Sequence, residues 1–147
     1  MQITYKGDYS LKAILFLAIR YGRDIITINE LAKRLDIPVK FLEQVLLDLK
    51  RGGFVDSKRG IKGGYFLLKH PKEIRIGDVI RFVDGPLEPI ACANTDKCYR
   101  GCGDIDNCVF RDIWIETAKA TSNIVDNITF DDLRFKFNLR ESINYYI

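Results

Sequence analysis

The chain has 147 residues, 47% of them hydrophobic and 29% charged, with a formal net charge of +3. This is the size and composition of one ordinary globular domain, or a domain with an appendage, with a core that takes roughly two-thirds of the unfolded surface out of water. No apolar run reaches the ~18 residues of a membrane span, and the opening MQITYKGDYS lacks the basic-then-apolar order of a secretory leader, so a cytoplasmic protein with reduced cysteines is expected.

Charge is divided unevenly. Residues 1–89 hold 16 Lys and Arg against 11 Asp and Glu, whereas residues 90–147 hold 7 against 9. The basic front part suits a polyanionic partner and the back part does not. The chain is expected to divide into a basic front domain (1–89), a cysteine-rich loop (90–108) and a C-terminal helix with a tail (109–147).

Residues 8–22, DYSLKAILFLAIRYG, predict a buried helix ended by Gly22 and apolar on most sides. Thr27-Ile28-Asn29-Glu30 is a capping box, with the Thr27 hydroxyl serving the Glu30 amide and the Glu30 side chain reaching back. It opens a helix to about Leu35. After the turn Asp36-Ile37-Pro38, a second helix is expected from Pro38, at the first helical position, to about Arg51. Phe41, Leu42, Val45, Leu46 and Leu49 form its apolar face, and Lys40, Glu43, Gln44 and Lys50 lie outside it. Two short helices on a tight turn, the second polar near its start, describe a helix-turn-helix; a small helical bundle would show the same periodicity.

Phe54 to Ser57 and Tyr65 to Leu68 read as the strands of a β-hairpin around the glycine-rich tip Lys58-Arg59-Gly60-Ile61-Lys62-Gly63-Gly64. A hairpin after a helix-turn-helix is a wing, and its cations suit a DNA backbone or a narrow minor groove. Lys50 and Arg51 are expected to add charge at its base. His70, the only histidine, reads as a surface residue. Ile76 to Val83 predicts a short helix closed by Asp84-Gly85-Pro86.

All four cysteines follow within 17 residues, at Cys92, Cys98, Cys102 and Cys108, in the pattern C-x5-C-x3-C-x5-C. The intervening residues are polar or glycine, a loop composition. Several soft thiolates on one loop suit an iron–sulfur cluster or zinc. Structural zinc sites usually show C-x2-C knuckles, absent here; paired disulfides need an oxidising compartment; a bare thiol switch stays open.

Val109 to Asn127 is expected to be the longest helix. Phe110, Trp114, Thr117, Thr121, Ile124 and Ile128 trace a heptad-like seam, widened by Ala118 and Val125. The seam points to a second copy of the chain or to the first helix. Thr129 to Asp132 repeats the capping pattern before a short helix of about 130–137, and the tail NLRESINYYI is ambiguous. No nucleophile–base pair or phosphate loop is present, so no enzyme is expected.

At this point the chain resembles the IscR/NsrR-type regulators of the Rrf-two superfamily, which are iron–sulfur winged helix-turn-helix transcription regulators. The resemblance covers nearly the whole length. It is carried by KGDYSLKAILFLA, by LAKRLDIPVKFLEQVLLDLKRGGFVDSKRGIKGGYFL, by IRIGDVIRFVDG, by VFRDIW and by NITFDDL. Its most specific pieces are Leu42-Glu43-Gln44 and Arg59-Gly60 with Gly63-Gly64-Tyr65. It implies a mainly α fold with a small β-hairpin wing, a long C-terminal dimerisation helix, and a homodimer on a pseudo-palindromic double-stranded DNA operator. Pro38, Lys40, Phe41, Glu43 and Gln44 would then belong to the helix in the major groove, with Lys40, Glu43 and Gln44 reading bases. Lys58, Arg59, Gly60 and Lys62 would belong to the wing, with Arg59 at its tip.

The resemblance also implies a cluster held by Cys92, Cys98 and Cys108 and a variable fourth ligand. Here that ligand is Cys102 or a carboxylate such as Asp8 of the partner subunit. Arg111 stands where one branch has a ligating histidine and cannot serve. All-thiolate ligation suits either a two-iron two-sulfur or a four-iron four-sulfur cluster. The expected function is cluster-controlled operator binding that senses iron–sulfur status, redox state or nitric oxide. The alternative is a winged-helix regulator using zinc or a thiol switch, and an iron–sulfur electron carrier is a third class.

Overall fold

A computed structural model describes residues 2–94, 99 and 101–144. Among the described residues the chain forms six α-helices and one two-stranded antiparallel sheet. In order these are α1 (Tyr5–Ile19), α2 (Ile28–Leu35), α3 (Val39–Arg51), β1 (Val55–Lys58), β2 (Gly64–Leu67), α4 (Ile76–Val83), α5 (Val109–Val125) and α6 (Phe130–Asn144). Short 3-10 turns lie at Pro71–Glu73 and Ala91–Ala93.

Helix α1 is the central element, packed on α2, α3, β2, α4 and α6. Its apolar residues point to two sides because it has neighbours on two sides: Ala13, Ile14, Leu17 and Ala18 are all buried. It starts three residues before the expected boundary. The Thr4 hydroxyl accepts from the Gly7 amide at 3.1 Å, and Thr4 is itself held by Asp84, its amide at 3.1 Å and its hydroxyl at 2.6 Å. Gly7 disfavours a helix by propensity, but a side chain there would meet the Asp84 carboxylate that anchors the cap.

The Thr27 cap forms, its hydroxyl accepting from the Glu30 amide at 3.2 Å. The return half of the expected box is replaced by a loose ion pair, with the Glu30 carboxylate 3.8 Å from Arg20. Asp36 takes the left-handed conformation (φ 53°) between α2 and α3, and Ile37 is buried beneath it. Pro38 is the N-cap of α3 rather than its first helical residue; its carbonyl accepts from the Phe41 and Leu42 amides. Leu42, Val45, Leu46 and Leu49 are fully buried. Phe41 leaves this face: the residue is 43% exposed and its ring stands edge-on to Tyr9 at 5.4 Å.

The hairpin pairs Val55 with Leu67, Ser57 with Tyr65 and Lys58 with Gly64, the register implied by the expected strands, but both strands run one residue further toward the tip, so Lys58 ends a strand instead of entering the tip. A third segment joins the pair: Ile26 bridges Tyr65, with N–H to carbonyl distances of 3.0 and 2.7 Å. A Cβ on Gly64 would sit 2.4 Å from the Ile26 carbonyl oxygen, so only glycine admits that approach.

Helix α6 is longer than expected because no breaker follows Phe137. Phe130, at its start, is fully buried with Ile14, Ile74 and Val79 in the core cluster built by α1 to α4. Hydrogen bonds from Ile76 N–H to the Ile128 carbonyl and from Phe130 N–H to the Ile74 carbonyl hold the chain before α6 against the chain before α4. The Thr129–Asp132 box closes in both directions, at 2.8 and 3.2 Å.

Candidate nucleic-acid interface and cysteine pocket

The helix-turn-helix and the wing each carry exposed cations. Pro38, Lys40, Phe41, Glu43 and Gln44 are all exposed along the first turns of α3, and Lys58, Arg59, Gly60 and Lys62 are all exposed on the wing. Ile61 at the tip stands wholly in solvent. Among the described residues no carboxylate pairs with Lys40, Lys58, Arg59 or Lys62. Their charge is therefore available to an outside anion.

The base of the wing is different. The Lys50 ammonium lies 2.8 Å from Asp56 and donates to the Ser57 hydroxyl at 2.9 Å, and Arg51 is 3.3 Å from Asp48. Asp48 also receives Lys6 at 2.6 Å. The expected extra charge at the base is thus met largely within the chain, with Asp48 and Asp56 facing Lys6, Lys50 and Arg51. Lys6 foremost holds the Asp48 carboxyl below the ordinary carboxylate value, and Lys50 foremost does the same for Asp56. The Lys50–Asp56 pair ties α3 to β1 and the Lys6–Asp48 pair ties α1 to α3, while Arg51–Asp48 lies within α3.

Cys92 lies on the 91–93 turn and Cys108 caps α5; both are half-buried, and Cys102 is exposed. All three are free thiols facing one pocket of about 480 Å³, which Tyr99, Phe110 and Trp114 also line. Phe110 and Trp114, expected in the helix seam, therefore serve the cysteine pocket as well. Among the described residues no three His, Cys, Asp or Glu side chains converge as a closed metal site. Cys98 lies outside the described residues. The donor chemistry, soft thiols around an apolar pocket, fits an iron–sulfur cluster. Asp8 sits elsewhere in the chain, in the first turn of α1, 2.6 Å from Lys12.

Two features escaped the sequence. Arg111 donates from Nε to the Cys92 carbonyl at 3.2 Å, so the residue that cannot be a ligand holds the turn that carries one. His70 is a half-buried cap rather than a plain surface residue: Nδ1 accepts from the Lys72 amide at 3.1 Å, and the ring meets Tyr21 edge-on at 5.0 Å. The Arg111 contact has no sequence signal, since it depends on which chain segments meet; the His70 cap is local, closed by Glu73 accepting from the His70 amide at 3.0 Å, and its signal was the acidic residue three positions on.

Helix α5 rests on α4 and on the 91–93 turn. Its one buried residue is Ala118. Val109, Phe110, Ile113 and Ile124 are exposed.

A family profile described as "Iron-dependent Transcriptional regulator" (Rrf2) matches residues 3–135. An rrf2-like HTH-type transcriptional regulator of Rhodobacter capsulatus is 39% identical over 137 residues, 89% of this chain and 91% of that one. The transcriptional regulator IscR of Pectobacterium atrosepticum is 31% identical, covering 98% and 84%. Among solved structures, CymR, described as the global cysteine regulator of Bacillus subtilis, superposes with a TM-score of 0.78 at 29% identity over 92% of this chain and 98% of its own. IscR of T. potens does so with a TM-score of 0.72 at 28% identity, over 90% and 85%. No helix among the described residues is long and apolar enough to cross a membrane.

Proposed function

The chain belongs to the Rrf2 family of winged-helix, DNA-binding transcriptional regulators and is not an enzyme; from that premise we propose that it acts as a homodimer whose hold on its operator is set by an iron–sulfur cluster in the cysteine pocket. The observation that carries this reading is the facing of Cys92, Cys102 and Cys108 onto one pocket beside the start of α5. Those three and Cys98 would hold the cluster, which when bound supplies a centre sensitive to redox change and to nitric oxide. The four-iron and two-iron forms both fit four thiolates.

The chain's own residues then connect pocket and reading head. Arg111 ties the Cys92 turn to α5. Arg81 ties α4, which packs on α1, to the far end of α5. Order in the cysteine loop is thereby felt by the helix whose exposed apolar residues suit a second copy. Two reading heads on successive half-sites stand ~34 Å apart, so a small rotation at the dimer seam changes which heads reach the groove. In each head Lys40, Glu43 and Gln44 meet base edges in the major groove, while Lys58, Arg59 and Lys62 meet phosphates and the minor groove.

Purification without oxygen, followed by a visible spectrum and iron and sulfide analysis, tests the reading. A coloured protein with iron and acid-labile sulfide, whose operator affinity changes on cluster loss, is the expected outcome. An iron-free, colourless protein fully competent on its operator overturns it. In that event a thiol switch is the second reading. It is favoured by the exposure of Cys102 and by the likeness to a regulator described as a cysteine regulator.

A further inference from the structure

A second cavity, remote from the cysteines in sequence and larger, lies between the C-terminal end of α1, the 20–25 turn and the strands of the wing; its volume is about 580 Å³. Leu17 and Leu67 on its walls are buried, and Phe66 is half-buried. The remaining charged lining is Arg20, Arg23 and Lys58 against a single carboxylate, Asp24. Small-molecule sites run at roughly 300–1,000 Å³, mostly apolar with a few placed polar groups.

The cations are only loosely engaged. Arg20 stands 3.8 Å from both Asp24 and Glu30, and among the described residues neither Arg23 nor Lys58 has a carboxylate partner. An apolar interior with a cationic excess is complementary to one class of ligand: a small carboxylate with an apolar body, aromatic or branched. Inorganic phosphate would leave the apolar walls unfilled, and a neutral hydrocarbon would leave the cations unpaired.

The cavity also touches the wing at two points. Lys58 is the last residue of β1, facing Gly64, and the Ile26–Tyr65 bridge hydrogen-bonds the end of the 20–25 turn to β2. A carboxylate that draws in the Lys58 ammonium withdraws it from a DNA phosphate. We propose that the cavity among Leu17, Arg20, Arg23, Lys58 and Phe66 is an effector site for a small apolar carboxylate, and that its occupant weakens operator binding by competing for Lys58. The competition half rests on the DNA-contacting role given to the wing above; the binding half does not.

The test uses the full chain with benzoate, phenylacetate and 4-methylpentanoate, each beside its neutral amide. Binding to free protein is read by calorimetry and by backbone amide shifts in 15N-labelled protein. At least one carboxylate binds at about 1 mM or tighter, shifts Gly22 and Lys58, and outbinds its amide by about tenfold. The double substitution Arg20→Gln, Arg23→Gln loses about the same factor while the melting temperature changes little, because Arg23 is exposed and half-buried Arg20 makes only loose ion pairs at 3.8 Å. If no carboxylate binds, or amides bind as well as acids, the site is refuted.

The operator arm follows. Saturating carboxylate is expected to lower operator affinity in the native chain and to have no effect on Lys58→Ala, whose affinity is already reduced. A carboxylate that binds but leaves operator affinity unchanged refutes the competition. If Lys58→Ala also binds the operator like the native chain, the failure belongs to the wing's assigned role rather than to the cavity.

Discussion

Arg81 and Asp126 form a two-pronged ion pair, Nη1 to Oδ1 at 2.7 Å and Nη2 to Oδ2 at 2.8 Å, with Ser122 Oγ accepting a third bond at 3.3 Å. The partners are 45 residues apart and enclose the whole cysteine loop between them. Gly77 lies under the pair: a Cβ there would come within 1.9 Å of Asp126 Oδ1. Arg81 foremost depresses the Asp126 pKa, and Asp126 foremost raises that of Arg81.

Arg81→Met is expected to cost about 0.5–1 kcal/mol in urea unfolding, since the pair is half-exposed and screened by water. Gly77→Ala, which evicts the Asp126 carboxylate, should cost at least as much. Because the folded Asp126 pKa is lowered, its contribution is present above the unfolded carboxylate value of ~4 and is lost as pH falls through the lower folded value. The stability deficit of Arg81→Met should therefore be full at pH 7 and shrink below about pH 4, measured as the difference between the two chains' unfolding free energies.

Phe130→Ala should cost about 3–5 kcal/mol, the range for emptying a closed aromatic site. Phe130 is fully buried among residues of α1, α4 and the chain between them. The loss should appear as a single cooperative transition by circular dichroism, with the native slope. A second, separate transition for the C-terminal helices would contradict the shared core.

On the operator, Arg59→Ala and Lys62→Ala are expected to weaken binding and to reduce the steepness of its salt dependence by about one charge each. Glu43→Ala and Gln44→Ala should instead alter which base pairs are preferred, by about 1–3 kcal/mol at the positions they read. Affinities measured at several salt concentrations on operator variants separate the two behaviours.

Cys98→Ser should abolish visible colour and bound iron in protein purified without oxygen while leaving the melting temperature of the apo protein unchanged. Arg111→Gln, which releases the Cys92 carbonyl, should lower iron occupancy without removing any ligand. Equal iron in Arg111→Gln and native protein would show that the Cys92 turn needs no such support.

Ile124 is 63% exposed near the end of α5, well along the helix from the cysteine pocket. For the proposed homodimer, Ile124→Glu should raise the dissociation constant by about tenfold or more, seen in light scattering as a shift toward monomer relative to the native chain at equal concentration. Its iron content should stay native.

Much of this protein was legible from local pattern. The Thr27 and Thr129 caps, the buried stripe Leu42, Val45, Leu46 and Leu49, the wing with its cations and the boundaries of α4 all follow from interactions within a few residues of one another, where periodicity and hydrogen-bond chemistry act directly. The crowding of four cysteines into 17 residues is equally a property of the sequence. Tertiary contact decided the rest. Ile26 docked on Tyr65 and added a third segment to the hairpin. Lys6 reached Asp48 because α1 packs on α3. Phe130 entered the core of the reading head, and Arg81 found Asp126, because the chain returns to α1 and α4 after the cysteine loop. None of these has a local signature, since each depends on where two distant segments meet, and that is set by the packing of the whole core rather than by the residues at either end.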